Sequence, residues 1–225
     1  MMIKRFAIAL FLWPISYFAQ QDAYDWQLWS EASVEYKQIP KLDLGLSFQN
    51  RLDRDVTRLR GNYLTFDASY KLGKGFRILA AVRGASSARF DKLRFSAGLS
   101  RGFEFGKATS IKIRGLLQHQ VFAGSDVRYG INVPQQNYRV RISFRQKLIK
   151  KTWLNVHTEP MWRKEGSQFG FYRVRSSIEL ERSLPGPWNV NLGYMIQQGF
   201  NRGSNAQAVL IGVGYELKFK AKDNQ

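Results

Sequence analysis

Tyr138-Arg-Val-Arg-Ile-Ser-Phe-Arg-Gln-Lys-Leu148 decides the fold. Tyr138, Val140, Ile142, Phe144 and Leu148 share one phase of the segment, and Arg139, Arg141, Ser143, Arg145 and Lys147 share the other. A helix turns by about 100° per residue and would scatter both sets around its circumference, whereas a strand sends alternate side chains to opposite faces. The segment is a strand with one greasy and one charged face.

The same period extends in both directions. Leu28, Ala32, Val34 and Tyr36 oppose Glu31, Glu35 and Lys37; Leu42, Leu44, Leu46, Phe48 and Leu52 oppose Asp43, Ser47, Gln49 and Arg51. Leu64, Phe66, Ala68, Tyr70 and Leu72 oppose Thr65, Asp67, Ser69 and Lys71. Further runs span 76–82, 93–105, 111–121, 154–162, 172–180, 188–196 and 209–219. Many are about ten residues long, the length of a tilted strand crossing a bilayer, whereas strands of globular domains peak near five or six. Short connections (39–41, 73–75, 106–108, 149–151, 183–187) alternate with longer polar ones (53–61, 85–91, 123–135, 163–170, 198–205). That alternation predicts antiparallel hairpins with short periplasmic turns and longer extracellular loops. The runs number eleven, while bacterial single-chain barrels normally have an even number. The expectation is therefore an all-β, antiparallel outer-membrane barrel of 10–12 strands, with the 93–105 run and the N-terminal hairpin the places where a strand could be gained or lost.

Alternation does not say which face looks outward. An exported soluble barrel or sandwich would bury the apolar set. Aromatic residues favour the membrane arrangement. Tyr36, Tyr70, Phe76, Phe105, Trp188 and Phe219 flank short turns, and Tyr138 and Tyr172 open strands after long connections, as in an interfacial girdle. The first residues agree: Lys4 and Arg5 precede an apolar run from Phe6 to Trp13, and Ser16-Tyr-Phe-Ala19 leads into a polar stretch. This is the layout of a secretory leader covering 1–19, with 20–225 as one barrel domain. No other stretch has the roughly 18 apolar residues of a spanning helix.

The 225 residues carry a net charge of +18 and no cysteine. The charge calls for acidic neighbours: nucleic acid, anionic lipid or an anionic solute. The absence of cysteine excludes disulfide scaffolds and thiolate chemistry. Nucleic acid is set aside, because the basic residues recur at period two on every strand instead of clustering in a groove.

In a membrane barrel the lumen would receive Arg51, Arg77, Arg83, Arg94, Arg114, Arg139, Arg141, Arg145, Arg173 and Arg175, with Lys37, Lys71, Lys112, Lys147 and Lys218. Its acids would be Glu31, Glu35, Asp43, Asp67, Glu104, Glu159, Glu179, Glu181 and Glu216, leaving positive charge in surplus. Two readings stay open: a salt-bridged polar core filling the barrel, or a narrow anion-preferring pore. Arg54, Arg58, Arg60, Arg89, Arg128, Arg163, Lys164 and Arg202 fall in the longer connections, facing solvent or lipopolysaccharide phosphates. Arg101 and Arg182 fall in the lipid phase near short turns, where a long side chain can snorkel, and a bulge at Gly102 would also account for Arg101.

Candidate chemistry is sparse. His119 falls in the lipid phase; His157 falls in the lumen phase with Glu159 two residues on. That couple could orient a base in a lipid-acting barrel enzyme, but no Gly-x-Ser-x-Gly elbow accompanies it. Neither a cofactor motif nor metal-ligand spacing is present.

Trp26-Gln-Leu-Trp29, Ser47-Phe-Gln-Asn-Arg-Leu-Asp53, Arg139 to Leu148, His157-Thr-Glu-Pro-Met-Trp162 and Tyr172-Arg-Val-Arg-Ser-Ser-Ile-Glu-Leu180 together resemble the outer-membrane barrel family catalogued as domain of unknown function 2490. The resemblance runs from about Trp26 to Phe219 and implies fold and location; it carries no activity and no functional residues. The chain departs from outer-membrane barrels in general at its end, where Phe219 is followed by Lys-Ala-Lys-Asp-Asn-Gln.

Overall fold

The computed structural model describes residues 24–87, 91–123, 134–200 and 205–217. The leader, Phe219, Lys218, Arg89, Arg128 and Arg202 lie outside them. Eleven strands run in order: β1 (Asp25–Ile39), β2 (Leu42–Asp53), β3 (Arg58–Gly73), β4 (Phe76–Ser86), β5 (Asp91–Phe105), β6 (Thr109–Ala123), β7 (Gln135–Ile149), β8 (Thr152–Glu165), β9 (Gln168–Ser183), β10 (Trp188–Gly199) and β11 (Ala206–Leu217). Each pairs antiparallel with the next, and the sheet closes into a barrel through a parallel pair of β1 and β11, with Asp25 beside Ala206 and Tyr36 beside Leu217. One parallel seam is what allows an odd number of strands to close, so the preference for even numbers does not hold among the described residues. The 93–105 run and the N-terminal hairpin are both in the wall.

The strands reach further than the sequence pattern suggested. β2 and β3 are joined by residues 54–57 and β8 and β9 by Gly166 and Ser167 alone, so Arg58, Arg60, Arg163 and Lys164 are strand residues rather than loop residues. The 124–134 and 200–205 connections remain the long ones. At the opposite end, Lys74 and Gly75 both have positive φ (49° and 80°), the backbone of a two-residue type I′ hairpin. A Cβ on Gly75 would also stand 2.4 Å from the carbonyl oxygen of Gly102. Register around Arg101 and Gly102 is unbroken, so no bulge explains Arg101. Its guanidinium instead lies 4.7 Å from the ring centres of both Phe76 and Phe103.

The barrel is apolar outside and polar inside. Leu46, Phe48, Leu64, Phe66, Leu192 and Ile211 are about half exposed on the outer wall. The buried apolar side chains are Trp29, Met161, Met195, Ala206 and Ala208, outnumbered by buried Gln27, Arg51, Ser100, Gln118, Gln120, Asn137, Glu159 and Gln197, among others. Water would strip such an exterior of its stability; lipid satisfies it, and strand closure leaves no unpaired backbone edge. The soluble barrel or sandwich is therefore overturned.

Of the expected girdle, Tyr70, Phe105, Tyr138 and Trp188 are exposed on the outer wall. Tyr36 is half-buried and Phe76 carries Arg101. Tyr172 is a correction. It lines the lumen, its hydroxyl on Met161 sulfur at 3.7 Å. The cause is the register shift between Met161 and Trp162, which pairs Arg173 and then Phe171 with consecutive β8 residues and leaves Tyr172 over.

Candidate functional site: an arginine collar in the lumen

The lumen holds two cavities in series, about 990 Å³ towards the short turns and about 740 Å³ towards the long connections. Glu31, Ser47, Asp67 and Ser69 line both. Charge is distributed unevenly along this path.

At the short-turn end most of it is paired. Asp43 accepts from Lys71 Nζ at 3.0 Å and Arg77 Nη1 at 2.6 Å, Arg145 donates to Glu181 at 2.8 Å, and Lys37 pairs with Glu35. In the middle, Glu159 is 2 % exposed and gathers three arginines: Arg139 at 2.5 Å, Arg141 at 3.1 Å and Arg114 at 3.6 Å. Among the described residues this carboxylate is the one deeply buried ion-pair hub.

Strand tilt sets which residues share a level above it. Arg145 reaches Glu181, although its register neighbours are Asn155 and then Glu179. Arg77 reaches Asp43, whose own register neighbours are Ser69 and Leu79. In both cases the level slips by two residues over two strands, about one residue per strand, as the shear of a tilted barrel requires. Arg51 on β2, Arg83 on β4, Arg94 on β5, Arg139 on β7 and Arg175 on β9 gather in the part of the lumen towards the long connections, Arg83 and Arg94 as direct register partners. All five line the 740 Å³ cavity and lie close enough to repel one another.

Four of these five have no carboxylate within ion-pair distance among the described residues; neutral groups hold them instead. Arg51 Nε donates to Gln49 Oε1 at 2.7 Å, and its guanidinium is sandwiched 3.6 Å from the Trp29 ring and 4.4 Å from Tyr63. Trp29 is fixed in turn by Nε1 donating to Gln27 at 2.9 Å. Arg83 Nε donates to Thr65 Oγ1 at 2.8 Å. Arg94 donates from Nε and Nη2 to Gln120 Oε1 at 3.2 and 2.5 Å. Arg175 Nε donates to Gln197 Oε1 at 2.9 Å and lies 5.3 Å from Trp29. Only Arg139 touches both kinds of acceptor, Gln118 at 3.2 Å and Glu159. Above the collar, Arg173 and Arg163 stack on Tyr172 at 5.1 and 4.1 Å. An amide or hydroxyl oxygen orients a guanidinium as a carboxylate would, but leaves its positive charge unneutralised.

The ten lumen arginines expected from parity all border the two cavities, Arg77 and Arg145 at the short-turn end. The acids divide. Glu35, Glu159 and Glu181 are ion-paired, whereas Glu31, Asp67 and Glu179 have no arginine within ion-pair distance among the described residues. Gln49 stands between Glu31 and Arg51, donating to the first at 2.9 Å and accepting from the second. The His157–Glu159 couple does not form, because the arginines of β6 and β7 take Glu159. His157 Nε2 lies 3.9 Å from Glu179 instead, and its Nδ1 has no hydrogen-bond partner among the described residues. The glutamines were the missed residues. They carry no charge to stand out, though each lies in the lumen phase, and Gln49 lies two residues from Arg51.

Residues 26–208 match the family described as protein of unknown function (DUF2490). The chain belongs to that family. No curated protein matches the sequence. Among solved structures, the barrel is similar to the NanC porin, with 12% identity over 87% of this chain and 100% of that one and a TM-score of 0.57. It is also similar to an outer-membrane channel from Pseudomonas putida F1 (10% identity, 78% and 76% covered, TM-score 0.51). The β domain of the Bordetella autotransporter BrkA gives 13% identity, 80% and 85% coverage and a TM-score of 0.50. At these identities the likeness is one of fold, and the fold is that of Gram-negative outer-membrane barrels.

Proposed function

We propose that this family member is an outer-membrane pore that prefers small anions and performs no catalysis. The observation that carries the reading is the collar: Arg51, Arg83, Arg94 and Arg175 face a lumen cavity and, among the described residues, hydrogen-bond to neutral groups, with Glu31 acting on Arg83 and Arg51 only from beyond ion-pair distance. A filled, self-neutralised core would set a carboxylate against each guanidinium, because leaving buried charge unpaired is costly. Arg83, Arg94 and Arg175 are only half-buried and border the cavity, which lowers that penalty and lets them attract anions. The reading against catalysis rests on His157: Glu159 is taken by arginines, and the hydroxyl of Ser177, opposite His157 in register, donates to Glu179 instead of to the imidazole. On this reading residues 1–19 are a leader removed during export, and arginines at the loop end meet lipopolysaccharide phosphates as well as passing solutes.

Planar-bilayer recording tests the proposal. Under a potassium chloride gradient the reversal potential should lie on the chloride side of zero, and Arg94→Gln with Arg175→Gln should move it towards the cation side. An absence of conductance steps, or a cation-selective pore, would overturn the reading.

A further inference from the structure

We infer that the collar is a saturable binding site for a small solute carrying two or more negative charges on oxygen atoms, a phosphate or polycarboxylate, rather than a passive charge filter. This deepens the pore reading and rests on it only for the route by which the solute arrives.

The argument begins with how the guanidinium groups are held. A charge filter needs positive charge but not a fixed orientation, and lysine would serve it. Here the collar is arginine at all five positions, and at Arg51, Arg83, Arg94 and Arg175 the Nε edge is anchored to an amide or hydroxyl oxygen of the wall. In Arg51 and Arg175 both terminal nitrogens remain uncommitted among the described residues, and in Arg94 one does. A guanidinium fixed at Nε presents its other nitrogens as a planar fork, the geometry that grips two oxygens of one oxyanion.

The supports are themselves fixed. Trp29 backs Arg51 and Arg175 and is tied through Gln27 to Asp25. Gln120 donates to Gln135 at 3.3 Å, and Gln118 donates to Ser96 at 3.1 Å. Side chains locked before a ligand arrives lose little freedom when it binds. Trp29 and Tyr63 already have Arg51 against their faces, so the site offers ionic forks rather than free aromatic platforms. Four cations without an ion-pair partner among the described residues, Arg51, Arg83, Arg94 and Arg175, around a 740 Å³ space suit an ion able to meet several forks at once. Chloride has one charge and no directional acceptors, and a monocarboxylate engages one fork. Next to the site Glu159 has already taken Arg139, Arg141 and Arg114, which leaves the unpaired forks on the side of the long connections.

The glutamines supply a nearly isosteric test, because Gln→Glu supplies each fork with an internal anion. Wild-type protein and a Gln120→Glu/Gln197→Glu variant are purified in detergent free of lipopolysaccharide and titrated calorimetrically with inorganic phosphate, citrate and acetate at matched ionic strength. Heat-modifiable migration checks that each variant is folded, and Gln146→Glu, at the opposite end of the barrel, controls for added charge. The expected result is saturable binding of phosphate and citrate at least tenfold tighter than acetate, weakened at least tenfold in the double variant and retained in Gln146→Glu. Parallel bilayer recordings should show phosphate reducing chloride current in the wild type more than in the double variant. Equal affinity for acetate, no saturable binding, or unchanged binding in the double variant would overturn the site. Saturable binding without conductance would sink the pore reading and leave the site standing.

Discussion

Replacing Glu159 by glutamine is the most informative perturbation of the wall's stability. The side chain keeps its shape and can still accept from one arginine, but its charge is lost. Arg139, Arg141 and Arg114 then share a region of the lumen with no counter-ion. Removing one partner of a buried ion pair costs about 3 to 5 kcal/mol. Arg114 and Arg141 retain 26% and 32% side-chain exposure and keep part of their hydration, so the lower end applies, about 3 kcal/mol. For a chain of this size that corresponds to about 6 to 12 °C in the temperature at which the folded band converts to the unfolded one. The assay is the temperature dependence of heat-modifiable migration, with denaturant unfolding in detergent as a second measure. Adding Arg141→Gln to Glu159→Gln should return at least about 1 kcal/mol, since one of the stranded charges goes with it. If Glu159→Gln matches the wild type to within about 0.5 kcal/mol, or if the second substitution destabilises further, the hub does not hold the wall as described.

Two other outcomes follow from backbone geometry. Gly98→Ala should lose the heat-modifiable form, because its Cβ would stand 2.1 Å from the Gly115 carbonyl oxygen and 2.6 Å from Leu116 Cδ2, overpacking worth about 3 kcal/mol; Gly84→Ala faces open space and should fold normally, and equal folding of the two would contradict the β5–β6 register. Because β1 starts at the end where the long connections lie and β11 finishes at the short turns, an epitope placed just before Tyr24 should be labelled on intact cells, whereas one after Gln225 should need permeabilisation; the reverse pattern would refute the orientation.

The wall was legible because its signal is local. Every second residue from Tyr138 to Leu148 has the same character, and no distant partner is needed to read a period of two. The strand count was legible for the same reason, but the closure was not. Whether β1 meets β11 in parallel depends on backbone pairing between chain ends, and nothing in Asp25–Ile39 announces it. Tyr172 was misassigned because parity carries across a strand only until a bulge resets it. At the candidate site the charged residues could be found and their pairing could not. Parity puts Arg51 and Glu31 in one lumen, but only geometry shows Gln49 between them. Glu159 lies two residues from His157 in sequence, yet three arginines on β6 and β7 claim it.

The parallel seam also fixes what can be done with the chain. Its first and last described residues sit at opposite rims of the cylinder, separated by the height of a strand of 12 residues, about 40 Å. Most compact domains bring their ends close together, so a few added residues can join them and new ends can be cut elsewhere. Here a joining segment would have to thread the conduit or run through lipid along the outer wall, so rearranging the order of strands by circular permutation is closed to this architecture.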